Sequence, residues 1–373
     1  MKELITVEKL NDYEPQNVHA ALSSLLEPFD GLSFIKPGMK VAVKMNLVTG
    51  ASPEKAVTTH PEVLKALSVM IRERGGIPVI GDSPGGPFNE GALKHSYRLS
   101  GLTGGELTLN YDTGIKKASF PDARVLKSIS YTSWLTECDA IIGVCKLKTH
   151  GMMKMSANVK NFFGAIPGTE KIEYHYRFPD HQAFADMLID INEFLKPSLY
   201  ITDAVIGMEG NGPTFGTPRE IGVLLASKDP YGLDAACATV MGIDPLSVPT
   251  VKAAFERNLW SPDSENDFSS YTVPDFELND RVKEIDFHGR FMPKFMVPVA
   301  KKILQSRPGC ETKICIGCGK CADVCPAKAI LIKDKKPFID RNVCIRCFCC
   351  QEFCPVGAMR VKRPFVAKTL AGL

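Results

Sequence analysis

Ten of the thirteen cysteines in this 373-residue chain fall between Cys310 and Cys354, while Cys138, Cys145 and Cys237 are scattered through the rest. In a reducing compartment thiols ligate metal before they pair as disulfides, so the dense group reads as a ligand set. Residues 315–326 run Cys-Ile-Gly-Cys-Gly-Lys-Cys-Ala-Asp-Val-Cys-Pro, and residues 344–355 run Cys-Ile-Arg-Cys-Phe-Cys-Cys-Gln-Glu-Phe-Cys-Pro. Both fit C-x2-C-x2-C-x3-C-P. Three thiolates in a tight loop grip three corners of an iron–sulfur cube, and the fourth corner takes the Cys-Pro cysteine of the other run. One [4Fe–4S] cluster is therefore assigned to Cys315, Cys318, Cys321 and Cys354, and a second to Cys344, Cys347, Cys350 and Cys325. Zinc prefers four ligands in two separated pairs and suits this spacing poorly. Cys310 and Cys349 are left over and read as bystander thiols. Arg346, inside the second loop, either favours the more negative reduced cluster by its charge or is simply solvated.

The second group of chemistry-bearing residues lies before residue 280 and is more dispersed. Lys44 and Asn46 leave an expected strand, Val41–Lys44. Asp82 and Ser83 stand in a glycine-rich turn able to bring backbone amides close to an anion. Lys146, Lys148 and His150 follow another expected strand, then Lys160, Asn161, Lys171 and His175. Glu209 and Asn211 lie in the tight stretch Met208-Glu209-Gly210-Asn211-Gly212-Pro213, preceded by Asp203. Taken singly, a lysine after a strand is usually solvated and a glycine-rich stretch is usually a turn. The run from Lys146 to His175 packs five lysines and two histidines beside Phe162, Phe163 and Ile166, and that clustering favours an anion or cofactor site. The catalytic candidates are Lys146, Lys148, His150, Lys160, Lys171 and His175. Lys44, Asn46, Asp82, Ser83, Asn161, Glu209 and Asn211 are the candidates for holding a cofactor.

Positioning these loops requires an alternation of strands and helices. Expected strands are 41–44, 77–80, 138–145, 200–206 and 221–227. A helix is expected from 59 to 74, with Thr59 as N-cap and Gly75-Gly76 as its stop. Such alternation predicts an α/β fold with a mostly parallel sheet and flanking helices, the polar loops gathering at one sheet edge. The C-terminal part is expected to be a small α+β two-cluster ferredoxin-like domain whose short strands, 329–332 and 358–361, share a sheet. The domain boundaries expected are 1–285 (an α/β domain, with room for two lobes), 286–309 (a linker or docking helix), 310–362 (the cluster domain) and 363–373 (a basic tail).

Several of these motifs occur together in one family. Lys-x-Asn after the first strand, Gly-Asp-Ser-Pro-Gly-Gly at 81–86, Lys-x-Lys-Thr-His at 146–150, Lys-Asn-x-x-Gly-x-x-Pro-Gly at 160–168, and Gly-x-Glu-Gly-Asn-Gly-Pro-x-x-Gly at 207–216 together resemble the DUF362 family. Many of its members carry the same two-cluster module. The resemblance implies the fold and the place of the site but no substrate. The order His150, Lys160, Pro167-Gly168, His175 is also similar to the nickel-pincer lactate racemase family, in which histidines and a cofactor-bearing lysine serve a hydride-shuttling nickel. The glycine-rich stretch around that lysine is replaced here by Asn158-Val159-Lys160-Asn161-Phe162-Phe163.

Net charge is +3, from 45 basic and 42 acidic residues, so no global field recruits nucleic acid or a membrane surface. No apolar run of about 18 residues appears, so no membrane span is expected, and a cytoplasmic location follows. The function expected is electron transfer by an iron–sulfur oxidoreductase, from a redox partner protein to an anionic substrate or cofactor in the α/β domain. Flavin or nickel is a candidate further cofactor. A non-catalytic electron carrier whose large domain docks a partner is the alternative, and a nickel-pincer-like hydride-transfer enzyme a third. Anaerobically purified protein should contain about eight iron and eight sulfide per chain, from two four-iron clusters; zinc in their place would sink this reading.

Overall fold

The computed structural model describes residues 4–262, 267–278 and 306–362. The docking segment expected at 286–309 lies outside them up to Gln305, as does the tail from Arg363 onward.

The large domain is built on one mixed sheet. Its strands are β1 (Ile5–Lys9), β2 (Lys40–Lys44), β3 (Ile77–Gly81), β6 (Ala140–His150), β7 (Lys154–Ser156), β8 (Leu199–Glu209) and β9 (Thr217–Ser227), in the order β1-β9-β8-β6-β2-β3 with β7 beside β6. The centre is parallel, β3 to β2 to β6 to β8, and β9 and β1 close one side antiparallel. Strands β4 (Ile115–Ser119) and β5 (Ser128–Thr132) form a separate hairpin.

Side chains of the central strands alternate between two apolar cores, as the two-residue strand period demands. Val41, Val43, Ile142, Val144 and Ile201 pack with Leu22, Leu25, Leu64 and Leu67 of α1 (Pro15–Leu26) and α2 (Pro61–Glu73). Ala42, Ile141, Cys145 and Tyr200 face the opposite way. They meet Phe184, Leu188, Leu233 and Val251 of α6 (His181–Leu195), α7 (Pro230–Val240) and α8 (Pro249–Glu256). A sheet covered on both faces reads as nearly continuous burial, and all eleven residues of β6 are buried.

Three expectations are corrected in detail. The α2 N-cap is His60, whose Nδ1 accepts Glu62 N at 3.3 Å, because the Thr59 hydroxyl is engaged across the sheet: it accepts Asn46 N at 2.9 Å and donates to Val144 O at 2.8 Å. Lys146 to His150 continue β6 instead of forming a loop, since β7 and β8 supply ladder partners on both sides. The two short strands of the cluster domain do not share a sheet. β11 (Ile330–Lys333) pairs with β12 (Lys336–Ile339), and β13 (Met359–Lys362) pairs with β10 (Arg307–Cys310).

Buried carboxylates fix the helices behind the sheet. Asp190 of α6 is fully buried and accepts the backbone N–H groups of Arg124, Val125 and Leu126 at 3.1, 2.8 and 2.9 Å, with Arg257 at 2.9 Å. Truncating Asp190 to Ala strands these donors and should lower stability by about 3–5 kcal/mol. A urea titration reads this as a drop in midpoint; a shift under about 1 kcal/mol would show that the carboxylate is not needed there.

Candidate functional site

The two cysteine runs fold into equivalent loops. Gly317 and Gly319 in the first have φ of 71° and 78°, and Arg346 and Phe348 at the matching places of the second have φ of 57° and 60°. Such left-handed turns point successive amides inward, as an anionic cluster requires. A cavity is lined by Cys315, Cys318 and Cys321 of the first run together with Cys354 of the second, the crossed pattern the spacing predicts. Cys310 lines it too. Burial, followed by a hydrogen bond with Cys315, pushes the Cys310 thiol up to about 11. Cys325 and Cys354 each accept a backbone N–H, from Ala329 and Ala358, at 3.2 Å. Cys344, Cys347, Cys350 and Cys325 lie close enough to perturb one another: burial first, then neighbouring thiols, raise Cys350. A hydrogen bond with Cys349 lowers Cys347. Cys318 is exposed, whereas Cys347 and Cys350 are buried.

The buried run abuts the large domain. Its short helix, Cys349–Glu352, carries Gln351, whose Nε2 donates to Asn211 Oδ1 at 2.6 Å and to Gly212 O at 3.1 Å. Glu352 Oε1 stands 2.8 Å from His150 Nε2. Phe353 lies against Gly85, where a Cβ would come within 2.7 Å of the ring. Between these residues and the sheet edge opens a cleft. Its walls include Asn46, Asp82, Ser83, Lys160, Asn161, Phe163, Lys171, His175, Glu352 and Phe353.

The large domain holds its side of the cleft through buried polar contacts. Lys44 Nζ pairs with Asp82 Oδ1 at 2.7 Å and donates to Asn161 Oδ1 at 2.9 Å. Asp82 also accepts Leu47 N and Ser83 N, each at 2.8 Å. Gly164 packs on this pair so closely that a Cβ would lie 2.0 Å from Asp82 Oδ1. The one-turn helix bearing Lys160 and Asn161 is tied down by Asp234 of α7, which accepts Asn158 N at 2.8 Å and Val159 N at 3.3 Å. Lys171 Nζ donates to Ser83 O at 2.8 Å and to Ile166 O.

Electrostatics follow from burial. Burial, followed by repulsion from Lys160, brings Lys148 down to about 7; for Lys171, burial, partly offset by Asp82 and helped by Lys44 and Lys160, again gives about 7. Burial also lowers Lys160, with Glu352 acting against it. The same cause pushes His150 down to about 4 and His175 to about 3, so both imidazoles are neutral near pH 7. Burial works to raise the Glu352 carboxyl, but Lys160, His150 and His175 together hold it well below the usual carboxylate range. His175 Nδ1 and Asn46 Oδ1 are buried without a hydrogen-bond partner. In native structures such atoms are uncommon.

Not every candidate residue reaches the cleft. Lys160, Lys171, His175, Asn46, Asp82, Ser83 and Asn161 line it; His150 and Lys44 stand one contact behind, through Glu352 and Asp82. Lys146 instead pairs with Asp203 at 2.6 Å and donates to Tyr13 OH at 2.9 Å. Lys148 donates to Val57 O at 2.5 Å. Glu209 accepts Glu277 N at 2.9 Å, and Asn211 holds Gln351. Sequence reasoning missed Glu352 and Phe353. Their position between two cysteines of one run was the available signal, but nothing local says which way the x3 residues point.

Comparison with known proteins agrees with this architecture. Residues 41–239 match the family described as "Domain of unknown function (DUF362)", and residues 314–358 match "4Fe-4S dicluster domain". The thylakoid-associated protein sll1697 of Synechocystis sp. is 34% identical over 259 residues, spanning 69% of this chain and 80% of that protein. Among solved structures, the lactate racemase apoprotein from Thermoanaerobacterium thermosaccharolyticum aligns with a TM-score of 0.41 at 11% identity, over 64% of this chain and 57% of that one. A structural-genomics protein from Thermotoga maritima gives 0.35 at 12%, over 67% of this chain and 60% of that one. Likenesses that distant bear on neither activity nor cofactor. The family match spans more than half of the residues, and with the Synechocystis relative it places this chain in the DUF362 family, joined to a C-terminal 4Fe–4S dicluster domain.

Proposed function

We propose that the protein is an iron–sulfur oxidoreductase whose cleft, between the second cysteine run and the sheet edge, receives an anionic organic substrate or cofactor. One observation carries this reading: Glu352 and Phe353, set between Cys350 and Cys354, form a wall of the same cleft as Lys160, Lys171 and His175. A ligand there would touch residues adjoining cluster ligands. We assign Cys315, Cys318, Cys321 and Cys354 to one cluster and Cys344, Cys347, Cys350 and Cys325 to the other. Bound clusters supply electrons one at a time at low potential.

The chain's own residues would do the rest. Lys160 makes no ion pair within 4 Å among the described residues and offers its ammonium to a carboxylate or phosphate. Neutral His175 serves as a hydrogen-bond partner, not as a charge. The Ser83 hydroxyl accepts from Gly168 N at 2.8 Å and Lys171 Nζ at 3.3 Å, which fills both lone pairs and leaves its proton to donate. Lys171, near 7, can hold or release a proton at working pH. Phe163, Phe353, Val48 and Pro213 keep water from the walls. A reducing compartment such as the cytoplasm suits the thiolates.

Two outcomes test the proposal. Among small carboxylates and phosphate esters, at least one should reoxidise the dithionite-reduced protein, and Lys160→Met should slow that step by about 100-fold or more with iron content unchanged. Loss of iron in the variant would mark Lys160 as structural. Anion affinity should fall as pH rises through about 7, because the Lys171 ammonium present below that pH deprotonates above it. Lys171→Met should bind weakly and lose that inflection; a titration curve unchanged by the substitution would remove Lys171 from the site.

A further inference from the structure

The far side of the cluster domain is unlike the side that meets the cleft. The loop of the first run exposes Ile316 (63%) and Cys318, and the β11–β12 hairpin folds beside it, with Ile332, Lys335 and Pro337 lining the same cavity as Ile316 and Cys318. Lys335 lies so close that a Cβ on Gly317 would come within 2.8 Å of it. Leu331, Lys333 and Phe338 stand on the other face of the hairpin, since successive strand residues alternate. Ile316, Ile332 and Cys318 are all exposed, and large apolar side chains standing exposed together around a cysteine loop mark a contact surface more than a solvated one.

Charge decides what fits there. Residues 306–362 hold eleven lysines and arginines against five aspartates and glutamates, while the whole chain is nearly balanced at +3. One of those five, Glu352, is turned into the cleft. Lys320, Lys333 and Lys335 are exposed and make no ion pair within 4 Å among the described residues. The chain's own segment 287–305 is also basic, with Arg290, Lys294, Lys301 and Lys302 and no acidic residue, so it carries no negative charge to complement these lysines. We infer that the apolar, lysine-rimmed face formed by Ile316, Ile332, Pro337 and Lys335 around Cys318 is the docking site for an acidic one-electron carrier protein. The carrier gives up one electron and the first-run centre gains it; no atom or proton need be exchanged. Lysines steer the encounter, and the apolar centre excludes water at contact.

The test uses intact, cluster-loaded protein and, as probe, a flavodoxin of strongly negative net charge. Binding measured calorimetrically should weaken steeply between about 50 and about 300 mM salt. Lys335→Glu should raise Kd by about tenfold and flatten the salt dependence, and Ile316→Ser should raise Kd with the salt slope kept. Both positions are exposed, so iron content should not change. Hydrogen exchange should slow at 314–320 and 331–338 on binding. The inference is overturned if the acidic flavodoxin does not bind, if a basic carrier binds as well, if protection falls elsewhere, or if cross-links put segment 287–305 over Ile316 and Ile332 in the free protein. None of these readouts requires a substrate in the cleft, so they stand or fall apart from the oxidoreductase reading.

Discussion

A lysine taken out of water has to be compensated where it lands, and the site is organised around that constraint. Lys44, at the end of β2, is fully buried and reaches Asp82 just past β3, so the ion pair staples two parallel strands at their carboxyl ends. The same carboxylate receives Leu47 N and Ser83 N, and the same ammonium reaches Asn161 on the one-turn helix that carries Lys160. Three chain segments distant in sequence are thereby fixed by two side chains. Gly164 follows from this: any larger residue would collide with the pair. An interior ion pair of this kind contributes little net stability, but removing one partner is costly, which makes it a strong specifier of geometry.

The remaining lysines divide by what they find. Lys146 meets Asp203, with Tyr13 and the backbone of His60 sharing that carboxylate. Lys148 and Lys171 find only carbonyls and a hydroxyl, and their affinity for a proton falls accordingly. Lys160 makes no ion pair within 4 Å among the described residues, and the charge that acts to keep it protonated against burial is Glu352 of the cluster domain. Glu352 also lies 2.8 Å from His150 Nε2, so the two domains complete one electrostatic site between them.

Most of the architecture was legible because apolar periodicity and cysteine spacing are local signals. β2, β3, β8 and β9 lie where the apolar runs put them, and the repeated cysteine pattern predicted the crossed lining of the first cavity. What the sequence hid was direction. Lys146 and Lys148 are spaced like a cluster of site residues, yet β6 continues through them and sends them to Asp203 and Val57. Strand continuation there depends on partners from β7 and β8, which no local pattern announces. Glu352 was hidden for a related reason. The contact with His150 joins residues from different domains, and only the docking of Gln351 on Asn211 and Gly212 brings them together.

The two halves of the cluster domain share a backbone but not a surface, and that asymmetry gives the module a direction. Gly319 of the first run corresponds to Phe348 of the second, Lys320 to Cys349, and Ala322-Asp323-Val324 to Gln351-Glu352-Phe353. Small or charged residues leave the first loop open to solvent with Cys318 exposed, whereas the bulkier set buries the second and presses it against the sheet edge. The left-handed φ kept at Phe348, where glycine would be easier, means that the second loop accepts backbone strain to place an aromatic ring there. The ring packs against Gly151 and closes the second loop on the large domain, a contact that Gly319, with no side chain, cannot make at the matching place of the first.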